Sequence, residues 1–422
     1  MEVKPVYLVL IDEDNNGTDS NKYYTLEPHG NEFVAKWGRI GGHESSKTYP
    51  MSKWDSTIAS KKKKGYVERT DLMTDVIEDS KEEDNNTADE FNVIKNVSVR
   101  EIIKRLWDYA NKTIQASYRV SASVVTQAMI DTAQDKIDFL SVNYNSMTVE
   151  DFNDKLKEIF VTIPRKMRTV KEYLAKEDSD FQGIIAREQS LLDTMAGQVY
   201  KKKEKSDVLK TENQTDSVSI LEKMGITMED ATQEDVEKIK KAMGDASNKF
   251  YKAWKVTNKA TQEAYDKYVS ENKIGNVKLT CHGSRNQNWF NILRTGLKIR
   301  PAGVILQGNL LGNGLYYSNP DKWHGVAKSI GYTSLGGYWT RDYQGCGFIA
   351  FFETALGKSY DIYRHDGKYY NFDLKKLKEA DPEAWSLFLH GAGYSSSSTI
   401  INDEIVVYNE SQTTIKYLVE IR

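Results

Sequence analysis

The spacing of apolar residues changes twice along the chain, and this constrains the fold more than any other feature. Over the first seventy residues they come in short alternating bursts, Val6-Leu8-Leu10 and then Phe33-Ala35-Trp37, parted by Asn, Gly, Asp and Pro. A period of two marks half-buried strands. From 96 onward Val99, Ile102, Ile103, Leu106, Ala110 and Ile114 follow the 3.6-residue period of an amphipathic helix. After Asn276 the period of two returns, in Phe348-Ala350-Phe352 and Ile415-Tyr417-Val419-Ile421. One sheet or one bundle cannot serve all three stretches. The 422 residues therefore predict an α+β multidomain chain: a small antiparallel β domain over 1–70, an acidic linker over 71–95, an all-α helical bundle over 96–270 and a mainly β domain over 271–422.

Local signals refine this outline. Ser52 to Lys64 lacks Gly and Pro, spaces Trp54, Ile58 and Lys61 helically and stops at Gly65, so one helix lies against the first sheet. Val125, Ala128, Met129 and Ile137 mark a helix in the middle third, Thr148 with Asp151 reads as a capping box before Phe152, Leu156, Ile159 and Phe160, and Ile184 to Val199 marks another helix. The polar run Lys201 to Ser217 reads as an exposed loop. Arg300 to Asn319 is long, irregular and rich in Gly and Asn, the kind of connection where a binding site is expected.

Charge is distributed unevenly. Between Lys36 and Tyr66 eight basic residues (Lys36, Arg39, Lys47, Lys53, Lys61, Lys62, Lys63 and Lys64) face two acidic ones, whereas Asp71 to Glu90 holds nine acidic residues and a single lysine. The first stretch suits an anionic partner; the second reads as a disordered linker. The six-residue apolar run from Val6 to Ile11 is too short for a leader or a membrane span, which predicts an intracellular protein with no membrane partner. Two cysteines, Cys281 and Cys346, make neither a disulfide framework nor a zinc site, so no metal is expected and buried thiols are.

The last domain carries Cys281-His282-Gly283-Ser284-Arg285, Gly312-Asn-Gly-Leu-Tyr316-Tyr317, Lys328-Ser329-Ile-Gly-Tyr332 and Asn402-Asp403-Glu404 opening a β-type run. Singly each has a bland reading: a histidine beside a glycine is more often structural, paired tyrosines are usually packing, and a glutamate before Ile-Val-Val is usually a solvated strand end. The chain lacks the GxGxxG, Walker, HExxH and GxSxG patterns of other common enzyme classes.

In this order, however, the motifs resemble the catalytic domain of the poly(ADP-ribose) polymerase family, with its His–Tyr–Glu triad on matching flanks. Trp37-Gly38-Arg39 with the later Lys64-Gly65-Tyr66 resembles the WGR domain of that family, and Phe160 to Pro164 with Ser190-Leu-Leu-Asp193 resembles its helical regulatory domain. The resemblance implies NAD⁺ as co-substrate and Glu404, His282, Tyr316 and Lys328 as the catalytic residues. It implies binding of NAD⁺ by His282, Gly283, Ser284, Asn288, Tyr316, Ser329, Tyr332 and, from the helical region, Asp193. It also implies broken or nicked DNA as a partner, held by Trp37, Arg39 and Lys61 to Lys64, with transfer to acceptor proteins and to the chain itself, at DNA in a nucleus or nucleoid. Leu310 stands where the family usually has a methionine lining the acceptor site, and the stretch from Tyr360 to Asp373 is short where the family carries a longer donor-site loop, which keeps a mono-ADP-ribosyl product open beside a polymer. A catalytically silent scaffold that binds NAD⁺ or ADP-ribose is the alternative of a different class, and the presence of Glu404 argues against it.

Overall fold

The computed structural model describes residues 3–13, 19–39, 43–72, 90–199, 218–299, 310–322, 324–337, 340, 343–392, 398 and 400–422. The chain divides into two compact units, one built from residues 1–86 and 111–214, the other from 87–110 and 215–422.

The first unit opens with strands β1 (Val6–Glu13), β2 (Asp19–His29), β3 (Glu32–Arg39) and β4 (Glu44–Pro50), then helix α1 (Trp54–Lys62) and the short strand β5 (Val67–Glu68). They form an antiparallel sheet in the order β4-β3-β2-β1-β5. The alternation in the sequence puts Leu8, Tyr24, Leu26, Phe33 and Ala35 in a core closed by Trp54, whose ring meets Phe33 edge-on at 5.2 Å. Helix α2 (Val97–Ser117) leads on to α3 (Gln127–Asn143), α4 (Val149–Thr162) and α5 (Phe181–Val199). Thr148 caps α4 as expected, its hydroxyl accepting from the Asp151 amide at 3.1 Å. Phe152 of α4 stacks on Phe181 of α5 with ring centroids 4.0 Å apart.

The first seventy residues do not stand alone as expected. Asn21, buried in β2, donates to the Met167 carbonyl at 3.1 Å, and the Arg69 guanidinium donates to the Val161 and Thr162 carbonyls at the end of α4. Those carbonyls lack partners within the helix, so a cation from the sheet completes it. Most of the proposed acidic linker, 73–89, lies outside the described residues, as does the run 201–217.

The second unit shows a second difference. Strands β6 (Ile226–Asp230) and β7 (Phe250–Asn258) fall inside the stretch expected to be wholly helical. Around them lie α6 (Ile220–Lys223), α7 (Gln233–Met243) and α8 (Lys259–Asn272). The strands escaped notice because β6 is an edge strand with mostly exposed side chains and β7 buries the consecutive pair Ala253 and Trp254, so neither alternates cleanly. There follow β8 (Val277–Ser284), α9 (Trp289–Thr295), β9 (Leu315–Tyr317), α10 (Ala327–Gly331), β10 (Gly347–Ala355), β11 (Lys358–Ile362), α11 (Leu374–Ala380), β12 (Ala384–Leu389), β13 (Glu404–Val407) and β14 (Thr413–Ile421). They make two sheets, β6-β7-β14-β10-β8 and β11-β12-β13-β9. The start of α2 packs with this unit: Trp254 Nε1 donates to Ser98 Oγ at 2.9 Å, and Arg105 pairs at 2.9 Å with Glu420, which is 1% exposed. Both cysteines are buried. Among the described residues no helix is long and apolar enough to cross a membrane, and no group of three His, Cys, Asp or Glu side chains could hold a metal.

Candidate active site

The two sheets of the second unit are joined where β8 meets the residue after β9. Ser318 donates its amide to the Cys281 carbonyl at 2.8 Å, in an isolated bridge between these two residues. This join brings His282 of β8 beside Tyr316 of β9, and Tyr316 pairs across to Val406 of β13, the strand that Glu404 opens. Residues far apart in the sequence thus meet because two strand ends share one bridge.

His282 Nδ1 lies 2.9 Å from the Tyr316 carbonyl. A carbonyl only accepts, so Nδ1 carries the proton. Burial holds the imidazole below the usual histidine range, with the carbonyl bond opposing it. A neutral ring protonated on Nδ1 presents Nε2 as an acceptor, suited to a hydroxyl. The Tyr316 hydroxyl donates to the Gly312 carbonyl at 2.6 Å and accepts from the Leu311 amide at 3.0 Å, which fixes the turn leading into β9.

Gly283 faces α10 so closely that a Cβ there would stand 1.8 Å from the Ser329 carbonyl oxygen. Only glycine allows this approach. Ser329 is buried, its hydroxyl donating to the Cys281 carbonyl at 3.0 Å and lying 2.6 Å from Ser318 Oγ. Burial pushes the Cys281 thiol up to about 12, which makes it inert packing. Tyr332, just past α10, is half-buried and close enough to Tyr316 to influence its ionisation. Asn288 Nδ2 donates to Ser284 Oγ at 2.9 Å, leaving Asn288 Oδ1 buried with no hydrogen-bond partner.

Glu404 is not the solvated strand end of the bland reading. It is 1% exposed; Oε1 contacts the Lys328 ammonium, while Oε2 is buried and has no partner among the described residues. Burial pushes the Lys328 ammonium down to about 7, against the pull of the carboxylate it touches. A buried carboxylate oxygen without a donor is costly, and a ligand hydroxyl would supply the missing bond. The donor set fits a ribose: an acceptor nitrogen on His282, an acceptor oxygen on Glu404 and flat rings at Tyr316 and Tyr332.

His282, Gly283, Ser284, Asn288, Tyr316, Lys328, Ser329, Tyr332 and Glu404 are therefore brought together within one unit. Asp193 belongs to the first unit, on α5, where Oδ1 accepts from Gln189 at 3.1 Å. Of the expected DNA-binding residues, Trp37 stacks on Tyr24 with centroids 5.6 Å apart, and Arg39 is exposed at the end of β3 with Nη1 3.4 Å from the Arg168 carbonyl. Lys61 lies 3.8 Å from the centre of the Tyr24 ring, with burial lowering its pKa, and Lys62 pairs with Glu68 at 2.6 Å, so Lys63 and Lys64 are the more available cations of that run. Asn319 and Asp403, buried beside Glu404, went unassigned from sequence; their signal was only adjacency to a motif.

The family model of the poly(ADP-ribose) polymerase catalytic domain matches residues 230–422, and that of the WGR domain matches residues 5–72. The putative poly [ADP-ribose] polymerase-like protein 100L of Invertebrate iridescent virus 6 is 32% identical over 175 residues, covering 41% of this chain and 87% of that relative. The uncharacterized protein 101L of the same virus is 27% identical over 195 residues, covering 46% and 77%. Poly [ADP-ribose] polymerase 2-B of Oryza sativa subsp. japonica is 21% identical over 470 aligned positions, covering 99% of this chain and 72% of the relative.

Proposed function

The chain belongs to the poly(ADP-ribose) polymerase family, and from that premise we propose that it cleaves NAD⁺ between ribose and nicotinamide and transfers ADP-ribose to protein side chains, its own included. The family's catalytic domain uses NAD⁺ as its substrate. The observation that carries the reading is the buried Glu404 carboxylate, with one oxygen on Lys328 and the other without a partner among the described residues. Cleavage leaves positive charge on the ribose, and a buried carboxylate beside the ribose hydroxyls stabilises that charge while activating an acceptor. Tyr316 and Tyr332 offer faces for the flat pyridinium, His282 Nε2 takes a hydroxyl of the second ribose, and the Gly283 backbone with Ser329 borders the carboxamide.

We further propose that the product extends to poly(ADP-ribose) and that broken or nicked DNA stimulates the reaction at DNA inside a nucleus or nucleoid. Support for DNA binding comes from the WGR domain match and from the exposed Arg39, Lys63 and Lys64. Mono-ADP-ribosylation is the second reading, because the stretch from Tyr360 to Asp373 is short where the family carries a longer donor-site loop. Incubation with labelled NAD⁺, with and without sheared DNA, tests all of this. A smear on a gel supports polymer, a discrete labelled band supports single units, and no label supports a silent scaffold. The helical region is proposed to restrain transfer until DNA binds. Its removal should spare 97–110 and 218–270, which pack with or form part of the sheet of the second unit.

A further inference from the structure

Two residues that directly follow β9 make opposite connections. Ser318 Oγ lies 2.6 Å from Ser329 Oγ and accepts from the Ser329 amide at 3.1 Å, so it is fastened to α10, which carries Lys328. Asn319 Nδ2 donates to Asp403 Oδ2 at 3.0 Å, so it is fastened to the residue that precedes Glu404. The other oxygen of Asp403 accepts from the Gly391 amide at 2.8 Å, just beyond β12. Ser318, Asn319, Ser329 and Asp403 are all buried. Burying a carboxylate is costly unless its bonds are met, and here neutral donors from two separate loops meet them.

We propose that Asp403 is a positioning residue for the transfer reaction: through Asn319 and Ser318 it fixes the Glu404 carboxylate relative to the Lys328 ammonium. Consecutive residues of extended chain point to opposite sides, so Asp403 braces the backbone from behind while Glu404 faces Lys328. The tie has three links, Asp403 to Asn319, Asn319 to Ser318 through the peptide bond, and Ser318 to Ser329. Each is short and buried, which leaves little slack between the two charged groups. The inference rests on the reading of Glu404 as the carboxylate of the transfer reaction.

The polarity of the Asp403–Asn319 bond supplies the test. Asp403→Asn keeps the shape but turns one acceptor into a donor, which must then face the Gly391 amide or the Asn319 carboxamide nitrogen. Asn319 can relieve this only by rotating, which costs the bond from the Asp321 amide to its Oδ1 at 3.1 Å. Turnover should fall about tenfold, as small misplacements of reacting groups do, while titration with nicotinamide changes less than twofold. The pH profile of kcat, to which the Lys328 ammonium contributes, should shift, whereas a loss of stability alone would scale the profile without moving it. The double variant Asp403→Asn with Asn319→Asp reverses the bond and should restore turnover to within about threefold. Full kcat in Asp403→Asn, a profile that only scales, or a double variant no better than the single one would overturn the proposal. Should Asp403→Asn not fold, Asn319→Ala severs the same link while leaving the Gly391 bond, and the same kcat and pH outcomes decide. A parent protein with no transfer at all would instead bring down the reading of Glu404, and this inference with it.

Discussion

Glu404→Gln removes one charge and almost no volume, so it isolates what the carboxylate does. Its side chain is 1% exposed, with Lys328 on Oε1 and, among the described residues, no partner on Oε2. A unit negative charge about 4 Å from a developing positive centre contributes roughly 4 kcal/mol at the effective dielectric of about 20 that suits such sites. That sets an upper range of about a thousandfold in kcat. The ground state should lose less, because the pyridinium is proposed to lie on the tyrosine faces. Nicotinamide affinity should therefore stay within about threefold. Folding should also survive, since Lys328, already lowered by burial to about 7, becomes neutral at little cost when its partner loses its charge. Single-turnover release of nicotinamide from labelled NAD⁺, followed beside a thermal melt, separates these effects. A variant that melts like the parent and keeps kcat within threefold would refute the electrostatic argument.

Tyr332→Ala removes a half-buried ring beside Tyr316, and a stacking contribution of about 1 kcal/mol predicts up to a tenfold loss in affinity for nicotinamide and NAD⁺ together; equal inhibition of parent and variant by nicotinamide analogues would make the ring mere packing. Lys328 has a folded pKa of about 7 against 10.5 for the free side chain, so between those values the unfolded chain binds the extra proton. Relative to Lys328→Met, the parent should gain stability as pH rises from 7 to 10, by at most about 1.4 kcal/mol per unit, and a difference that stays flat across denaturant melts contradicts the shift. Arg105→Ala leaves the buried Glu420, among the described residues, with Arg422 alone for a cation at 2.9 Å, and should cost about 1–3 kcal/mol in urea unfolding; no change would mean that Arg422 meets the charge alone.

What could be read of the fold follows from which elements have one wet face. β3 and α4 alternate or repeat cleanly because each keeps one more exposed side, so Phe33, Thr148 and Phe152 mark their elements, whereas β1 buries the neighbours Leu8 and Val9 and β2 the run from Tyr23 to Leu26. β10 was read from the alternation of Phe348, Ala350 and Phe352, yet it is buried on both faces, and Ile349 and Phe351 between them are as buried as they are. β6 and β7 gave no such sign, since one is a mostly exposed edge and the other buries neighbours in sequence. The union of the first sheet with α4 was equally hidden. It rests on Asn21 and Arg69, polar residues whose partners, Met167, Val161 and Thr162, are backbone carbonyls about a hundred positions away or more, and a carbonyl carries no signature in a sequence.

The site itself raises a different question, which is what each legible motif residue bears upon. The resemblance assigns Gly283 to NAD⁺ binding, but the Ser329 carbonyl already excludes any side chain there. A protein that had lost all chemistry would still need that glycine to pack β8 on α10. The same holds for Ser329, whose hydroxyl is engaged by Cys281 and Ser318, and for the Tyr316 hydroxyl, which holds the turn at Gly312. These residues report the family fold and would persist in a silent relative. Glu404 and His282 are different in kind. A leucine at 404 would fill the interior more cheaply than a carboxylate with an unmet oxygen, and no contact of the fold uses the acceptor nitrogen that the Tyr316 carbonyl leaves on His282 among the described residues. Packing therefore explains the glycine and the serine, and it leaves the Glu404 oxygen and the His282 nitrogen as groups that a ribose would satisfy.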